Sequence, residues 1–277
     1  MAEECTHNCS TCSENCASKE KNSLLEQPNA LSSVKHIIAV VSGKGGVGKS
    51  LVTSMLAVNL QRLGYKVGIL DADVTGPSIP KAFGLVRKAK GSPMGILPAE
   101  THMEIKVMSI NLLLENETQP VVWRGPVLAG AVTQFWTDVV WGELDVLLID
   151  MPPGTGDVPI TVYQTLPVDA TVIVSTPQAL VQMVVDKAYK MADMMNIPVA
   201  GMVANMSGVI CPDCGRRIDV FGSMETFREA AAGMGLPVLA ELPINADIAR
   251  LCDEGEIERV VCEEIDPAVD AVEALLK

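Results

Sequence analysis

The sequence predicts an α/β fold of three layers, with a mostly parallel central sheet flanked by helices. Two observations carry this. Runs such as HIIAVV, DVLLID and ATVIVS are apolar throughout rather than alternating, as strands covered on both faces are. Segments with helical spacing separate these runs, so strand and helix alternate along the chain.

The elements follow in order. Residues 1–33 read as a cysteine-rich tail and linker, polar and without an apolar period. Residues 34–277 read as one domain. HIIAVVSG, from His36, is a buried strand ending at glycine. Ser50–Leu63 is a helix with Leu51, Met55, Val58 and Leu63 near one face. KVGILDAD and EIKVMSI are the next two strands, and VVW at 121–123 is a short extended piece. Residues 126–141 are expected to be helical. DVLLID, ATVIVST and VAGMVANM are strands, with helices at 179–195, 223–234 and 267–276 and a late strand in PVLAELPI. The pattern gives seven or eight strands in one sheet.

Composition bounds the partners. The chain has 277 residues, enough for one large domain or two small ones. Aromatics are only 4%, so Val, Ile, Leu, Ala and Met must fill the core. The net charge of −13 gives no basic footprint for displacing counterions from a duplex, so nucleic acid is not expected as a partner. No apolar run approaches the roughly 20 residues needed to span a bilayer, and MAEECTHNCSTCSENC lacks the parts of a signal peptide. A cytoplasmic protein without a membrane partner is expected. Eight cysteines in that compartment then read as metal or redox ligands rather than disulfides.

Gly43, Lys44, Gly45, Gly46, Val47, Gly48, Lys49 and Ser50 fit G-x-x-x-x-G-K-[ST] between a predicted strand and a predicted helix. The glycines let backbone N–H groups wrap phosphate oxygens, and the helix N-terminus adds partial positive charge. Lys49 can reach the β- and γ-phosphates, and the Ser50 hydroxyl can ligate Mg²⁺. The fold class thereby narrows to a three-layer P-loop NTPase.

Carboxylates gather at the predicted strand ends. KVGILDAD ends in Asp71 and Asp73, expected in the metal shell and in positioning water respectively; either can instead cap the next helix. VLLID ends in Asp150, the carboxylate expected to hold Mg²⁺. PPGTGD follows, and its Asp157 either joins the site or caps a helix. Asn205, ending VAGMVAN, either reads the adenine edge or forms a turn.

Cys211 and Cys214 form a C-x-x-C in a glycine-bounded loop. Two thiolates do not complete a tetrahedral zinc site or a four-cysteine cluster, but a two-fold dimer supplies four. Chemistry alone leaves iron–sulfur and zinc equally open. Cys5, Cys9, Cys12 and Cys16 have the spacing C-x3-C-x2-C-x3-C, which can close a 4Fe–4S or zinc site within one chain, or be a metal-free tail. Cys252 and Cys262 read as ordinary packed thiols.

Together SGKGGVGKS, DADVTGPSIP, VVWRGP, LLIDMPPGTGD and ANMSGVICPDCG resemble the Mrp/Nbp-type iron–sulfur cluster carrier ATPases, over about residues 34–250. That family is related to the MinD/ParA and nitrogenase-iron-protein ATPases. The resemblance implies a nucleotide-dependent homodimer that binds and slowly hydrolyses ATP with Mg²⁺. It implies that Lys44, the second lysine of the glycine loop, acts in trans on the partner's nucleotide; the plain alternative is a solvated loop lysine. It implies a 4Fe–4S cluster bridging Cys211 and Cys214 of two chains, for delivery to apo iron–sulfur acceptor proteins. The four tail cysteines resemble an N-terminal cluster site, with more compact spacing. Gly208 stands where family members often have an aromatic residue. Two rival readings share the phosphate site: a MinD/ParA-like positioning or regulatory ATPase with structural zinc, and an iron-protein-type reductase, whose cluster cysteines would lie far apart in sequence.

Overall fold

The computed structural model of the chain describes residues 24–74, 76, 78–86, 88–114, 125–178 and 182–277. The tail cysteines Cys5, Cys9, Cys12 and Cys16, the VVW piece at 121–123 and the expected helix start at 179–181 lie outside the described residues.

The chain runs β1 (Ser33–Val41), α1 (Lys49–Arg62), β2 (Val67–Asp71), α2 (Ile79–Ala82), β3 (Lys90–Ser92), β4 (Gly95–Leu97), β5 (Ala99–Glu100) and β6 (Lys106–Ser109). It continues with α3 (Gly125–Thr137), β7 (Glu143–Asp150), α4 (Asp157–Thr165), β8 (Ala170–Ser175), α5 (Gln182–Met194) and β9 (Val199–Asn205). Last come β10 (Val209–Ile210), β11 (Arg217–Ile218), α6 (Met224–Gly233), β12 (Val238–Leu242), α7 (Ala246–Glu254) and α8 (Asp266–Leu275).

Eight strands form one sheet in the order β12-β9-β8-β1-β7-β2-β6-β5. All neighbours are parallel except β5 and β6. The apolar runs are explained by two cores, one on each face. Ile37, Ala39 and Val41 of β1 face one core with α3, α4, α5 and α6. Ile38 and Val40 face the other with α1, α2, α7 and α8. Successive side chains of a strand point to opposite faces, so a doubly covered strand must be apolar at every position. Each fully buried Leu or Ile of these cores stabilises the fold by roughly 1.5–3 kcal/mol.

The structure departs from the sequence reading in places. The first helix spans Lys49–Arg62, and Leu63 lies past its end, 55% exposed, because the chain turns there through Gly64 N–H to the Gln61 carbonyl. The helix expected over 126–141 stops at Thr137. Ile96 pairs with the backbone on both sides of Val139, at 2.8 Å to the Asp138 carbonyl and 2.8 Å from the Val140 N–H, which draws the β-branched pair Val139-Val140 into extended form. Helices α4 and α7 and the hairpins β3–β4 and β10–β11 were not among the expected elements, although Ile248, Leu251 and Cys252 of α7 recur at helical spacing. Residues 24–32, assigned to the linker, lie along the domain: Glu26 N–H donates to the Thr165 carbonyl, the Trp136 indole donates to the Glu26 carbonyl, and Ser32 Oγ bonds Val139 and Trp141. Among the described residues no helix is long and apolar enough to cross a membrane.

Candidate nucleotide and thiolate sites

Strand β1 lies between β7 and β8, where the strand order reverses, and the glycine loop leaves its C-terminal end. Open parallel sheets bind ligands at such a point. Gly45, Gly46, Val47, Gly48, Lys49 and Ser50 line a cavity of about 450 Å³ together with Ser42, Asp73 and Pro153. Gly43 sits behind the loop against Val184. Gly48 has φ of 81° and lies so close to the Asn205 amide that no side chain fits there. Its left-handed turn aims the first N–H groups of α1 into the cavity.

Beneath the loop sits a buried ionic cluster. Register pairing of β2 with β7 and β6 sets Asp71 beside both Asp150 and Ser109 at the strand ends. Asp150 is fully buried and accepts from Lys49 Nζ at 2.6 Å, Ser50 Oγ at 2.5 Å and Thr53 Oγ1 at 3.0 Å. Lys49 Nζ is 3.9 Å from Asp73 Oδ2. Asp71 Oδ1 accepts from the Asp73 N–H at 3.2 Å, while its buried Oδ2 has no hydrogen-bond partner among the described residues. Burial first, and then the Asp150 carboxylate, push the Asp71 carboxyl well above the usual carboxylate range, with Lys49 opposing.

The other predicted residues fall at the rim. Lys44 Nζ donates to Gln178 Oε1 at 2.6 Å, an exposed contact. Asp157 opens α4 as its first residue, against Gly125 at the start of α3. The PPGTG loop is tied to the glycine loop by the Gly154 N–H, which donates to the Ser42 carbonyl at 2.9 Å. Asn205 is buried, and its Nδ2 donates to the Val47 carbonyl at 2.9 Å, so the amide braces the loop from below. Beside it opens a second, apolar cavity of about 230 Å³, walled by Leu51, Met55, Phe221, Pro243, Ile244 and Cys262.

Sequence reading missed several of these groups. Thr53 stands one helical turn after Lys49, a spacing that could have placed it on the same face. Gln178 follows the end of β8, where the strand-end rule applies as it does to Asp71. The apolar cavity assembles from segments far apart in sequence and left no local signal.

Cys211 and Cys214 sit on the turn of the β10–β11 hairpin, closed by Cys211 N–H to the Arg216 carbonyl and Gly215 N–H to the Cys211 carbonyl, both 2.9 Å. Cys211 is half-buried and Cys214 exposed. The backbone N–H groups of Cys214 and Asp213, and then the Cys214 thiol, hold the Cys211 thiol below its ordinary value. Burial pushes the Cys252 thiol up, and burial with Glu264 pushes Cys262 up to about 11. Among the described residues no group of three or more His, Cys, Asp or Glu side chains gathers to hold a metal. The hairpin thus presents two sulfurs, that of Cys211 activated, and an incomplete ligand set among the described residues.

With this geometry in hand, likeness to known proteins is informative. A profile of the ParA family, described as NUBPL iron-transfer P-loop NTPase, matches residues 33–277. An iron–sulfur cluster carrier protein of Clostridium perfringens is 48% identical over 239 residues, covering 83% of this chain and 84% of that one. The cytosolic Fe-S cluster assembly factor CFD1 of Kluyveromyces lactis is 41% identical, covering 81% and 82%. A nucleotide-binding protein of Archaeoglobus fulgidus, solved in complex with ADP, superposes with a TM-score of 0.75 at 45% identity, over 84% of this chain and 91% of that one. The cell division ATPase MinD of Pyrococcus furiosus shares the fold at 20% identity, with a TM-score of 0.62 over 87% and 99% of the two chains. The three-layer P-loop architecture expected from the sequence is thereby shown, and this chain belongs to the ParA/NUBPL family of iron-transfer P-loop NTPases.

Proposed function

We propose that the protein is an ATP-dependent carrier that, as a homodimer, takes up a 4Fe–4S cluster on Cys211 and Cys214 of two chains and passes it to apo iron–sulfur proteins in the cytoplasm. The observation that carries the reading is the pairing, in one domain, of a built phosphate cradle with a thiol pair, one half-buried and one exposed, that has no further metal ligand gathered round it among the described residues. Relatives named as iron–sulfur cluster carriers, and the ADP complex of the Archaeoglobus protein, support it.

In this reading Lys49 exchanges Asp150 for the β- and γ-phosphates of ATP, and the N–H groups of Gly45–Ser50 hold the remaining phosphate oxygens. The residues present fit Mg²⁺: Ser50 Oγ, Asp150 and the unpartnered Asp71 Oδ2 form a hard, all-oxygen set. When bound, Mg²⁺ neutralises charge on the phosphates. Asp73, at the cavity wall, orients the attacking water. Asn205 keeps the loop in shape and offers its amide beside the apolar cavity, which suits a purine ring. Lys44 stabilises transition-state charge at the partner's nucleotide. The tail cysteines are a candidate second cluster site.

Anaerobic reconstitution with iron and sulfide tests the reading. The full chain should turn brown and transfer its cluster to an apo-acceptor at a rate that depends on ATP. If Cys211→Ser with Cys214→Ser leaves transfer unchanged, or if the protein holds only zinc, the reading is wrong.

A further inference from the structure

Lys44 is already occupied in the single chain. Its ammonium sits 2.6 Å from Gln178 Oε1, in the segment that follows β8. The same segment touches the chain just past the cysteine hairpin. Gly222, four residues after Ile218 of β11, packs on the Pro177 carbonyl and the Gln178 Cα so tightly that any side chain at 222 would collide with backbone. Gln178 therefore lies between the glycine loop on one side and, on the other, the stretch that leads out of the hairpin carrying Cys211 and Cys214.

We infer that Gln178 is a positioning residue that parks Lys44 within its own chain, and that its release reaches the cysteine hairpin through the contact of Pro177 with Gly222. The inference rests on the proposed reading of Lys44 as a cation given to the partner's nucleotide. In that reading the ammonium swings toward the partner's nucleotide as the dimer closes over ATP, and the swing carries it away from Gln178 Oε1. The bond suits that use. It is exposed and made to a neutral amide, so a triphosphate outcompetes it, whereas a carboxylate in its place would hold the lysine harder. Once Lys44 leaves, segment 176–178 loses its tie to the glycine loop. Gly222 meets that segment backbone on backbone, so it cannot yield through a side chain. The cysteine hairpin is short, two residues in each strand, and is the element most easily re-aimed by such a push.

The test compares Gln178→Glu and Gln178→Ala in the full chain. Four quantities are read: ATP-dependent dimer formation by light scattering, kcat and KM for ATP, ADP affinity, and alkylation rates of Cys211 and Cys214 with and without ATP. Gln178→Glu should lower kcat and the dimer fraction about two- to fivefold with ADP affinity unchanged. Gln178→Ala should raise the dimer fraction at subsaturating ATP and shift the nucleotide-free alkylation rates toward those with ATP. In a Lys44→Ala background the two variants should become indistinguishable. Gly222→Ala should turn over ATP yet lose the effect of ATP on cysteine alkylation; if it does not fold, the alkylation shift in Gln178→Ala decides the same point. A wild type that dimerises with ATP while both Gln178 variants match it overturns the inference alone. Variant effects that persist without Lys44 also overturn it, since they make Gln178 merely structural. A wild type that never dimerises with ATP overturns both the inference and the reading of Lys44.

Discussion

The two sites of this protein are built in opposite ways. The phosphate site is deep and already shaped: Asp71 and Asp150 are buried at the ends of central strands and Lys49 at the start of α1, with one carboxylate oxygen left unpaired among the described residues. The thiolate site is shallow and unfinished: two cysteines on a small hairpin, with no further ligand nearby among the described residues. The difference teaches where each site obtains its missing parts. In the proposed reading a nucleotide and its metal complete the first from solution, in a cavity the fold has already shaped. In the same reading a second chain completes the second, so that cargo binding and assembly become one event.

The largest effect expected from this contrast is on Lys49. Lys49→Ala should cut ATP turnover by about 10²–10³-fold, since one preorganised cation over developing charge is lost. The chain should still take up iron and sulfide at the hairpin; loss of both together would mean the two sites are not separately built. Next, Cys211→Ser with Cys214→Ser should abolish the bridging cluster while changing stability by no more than about 0.5 kcal/mol per site, because both positions lie at the surface. A thermal melt that drops by many degrees would show the hairpin to be part of the core.

A smaller effect sharpens the picture of the buried cluster. The Asp71 carboxyl titrates above the usual range in the folded, nucleotide-free chain, so the native state keeps a proton that the unfolded chain has released. Stability then falls as pH rises from the ordinary carboxylate range through the folded value of Asp71. Asp71→Asn should remove that slope. Its Tm without nucleotide or Mg²⁺ should match wild type in acid and exceed it by a few degrees near neutral pH, while Mg²⁺–nucleotide affinity falls. A Tm difference independent of pH would contradict the assignment. The smallest effect concerns the sulfurs themselves. Cys211 should alkylate at neutral pH at least about ten times faster than Cys262, whose thiol is pushed up to about 11. Equal rates would remove the activation attributed to the hairpin N–H groups.

Legibility in the sequence follows the same division. The glycine loop and the strand-end aspartates Asp71 and Asp150 were readable because local spacing and strand ends determine them. The sheet was readable because double coverage forces unbroken apolar runs. Asn205 was located but its posture was not: whether an amide meets a base or a backbone carbonyl depends on Val47, far away in sequence. The strand-end rule reaches Gln178 but not its bond to Lys44, and the apolar cavity at Phe221, Pro243 and Ile244 left no pattern, since both exist only where separate segments meet. Helix α3 was overextended because the pairing of Ile96 beside Val139 is a tertiary fact.

The central claim is that two chains share one cluster through the hairpin thiolates. Its most direct test is native mass spectrometry of the full-length chain carrying Cys5→Ser, Cys9→Ser, Cys12→Ser and Cys16→Ser, reconstituted without oxygen in the presence of ATP. The account predicts a dimer holding a single 4Fe–4S cluster, which is lost when Cys211 and Cys214 are also replaced by Ser. A monomer, or a dimer of the same mass with and without those two cysteines, would contradict it.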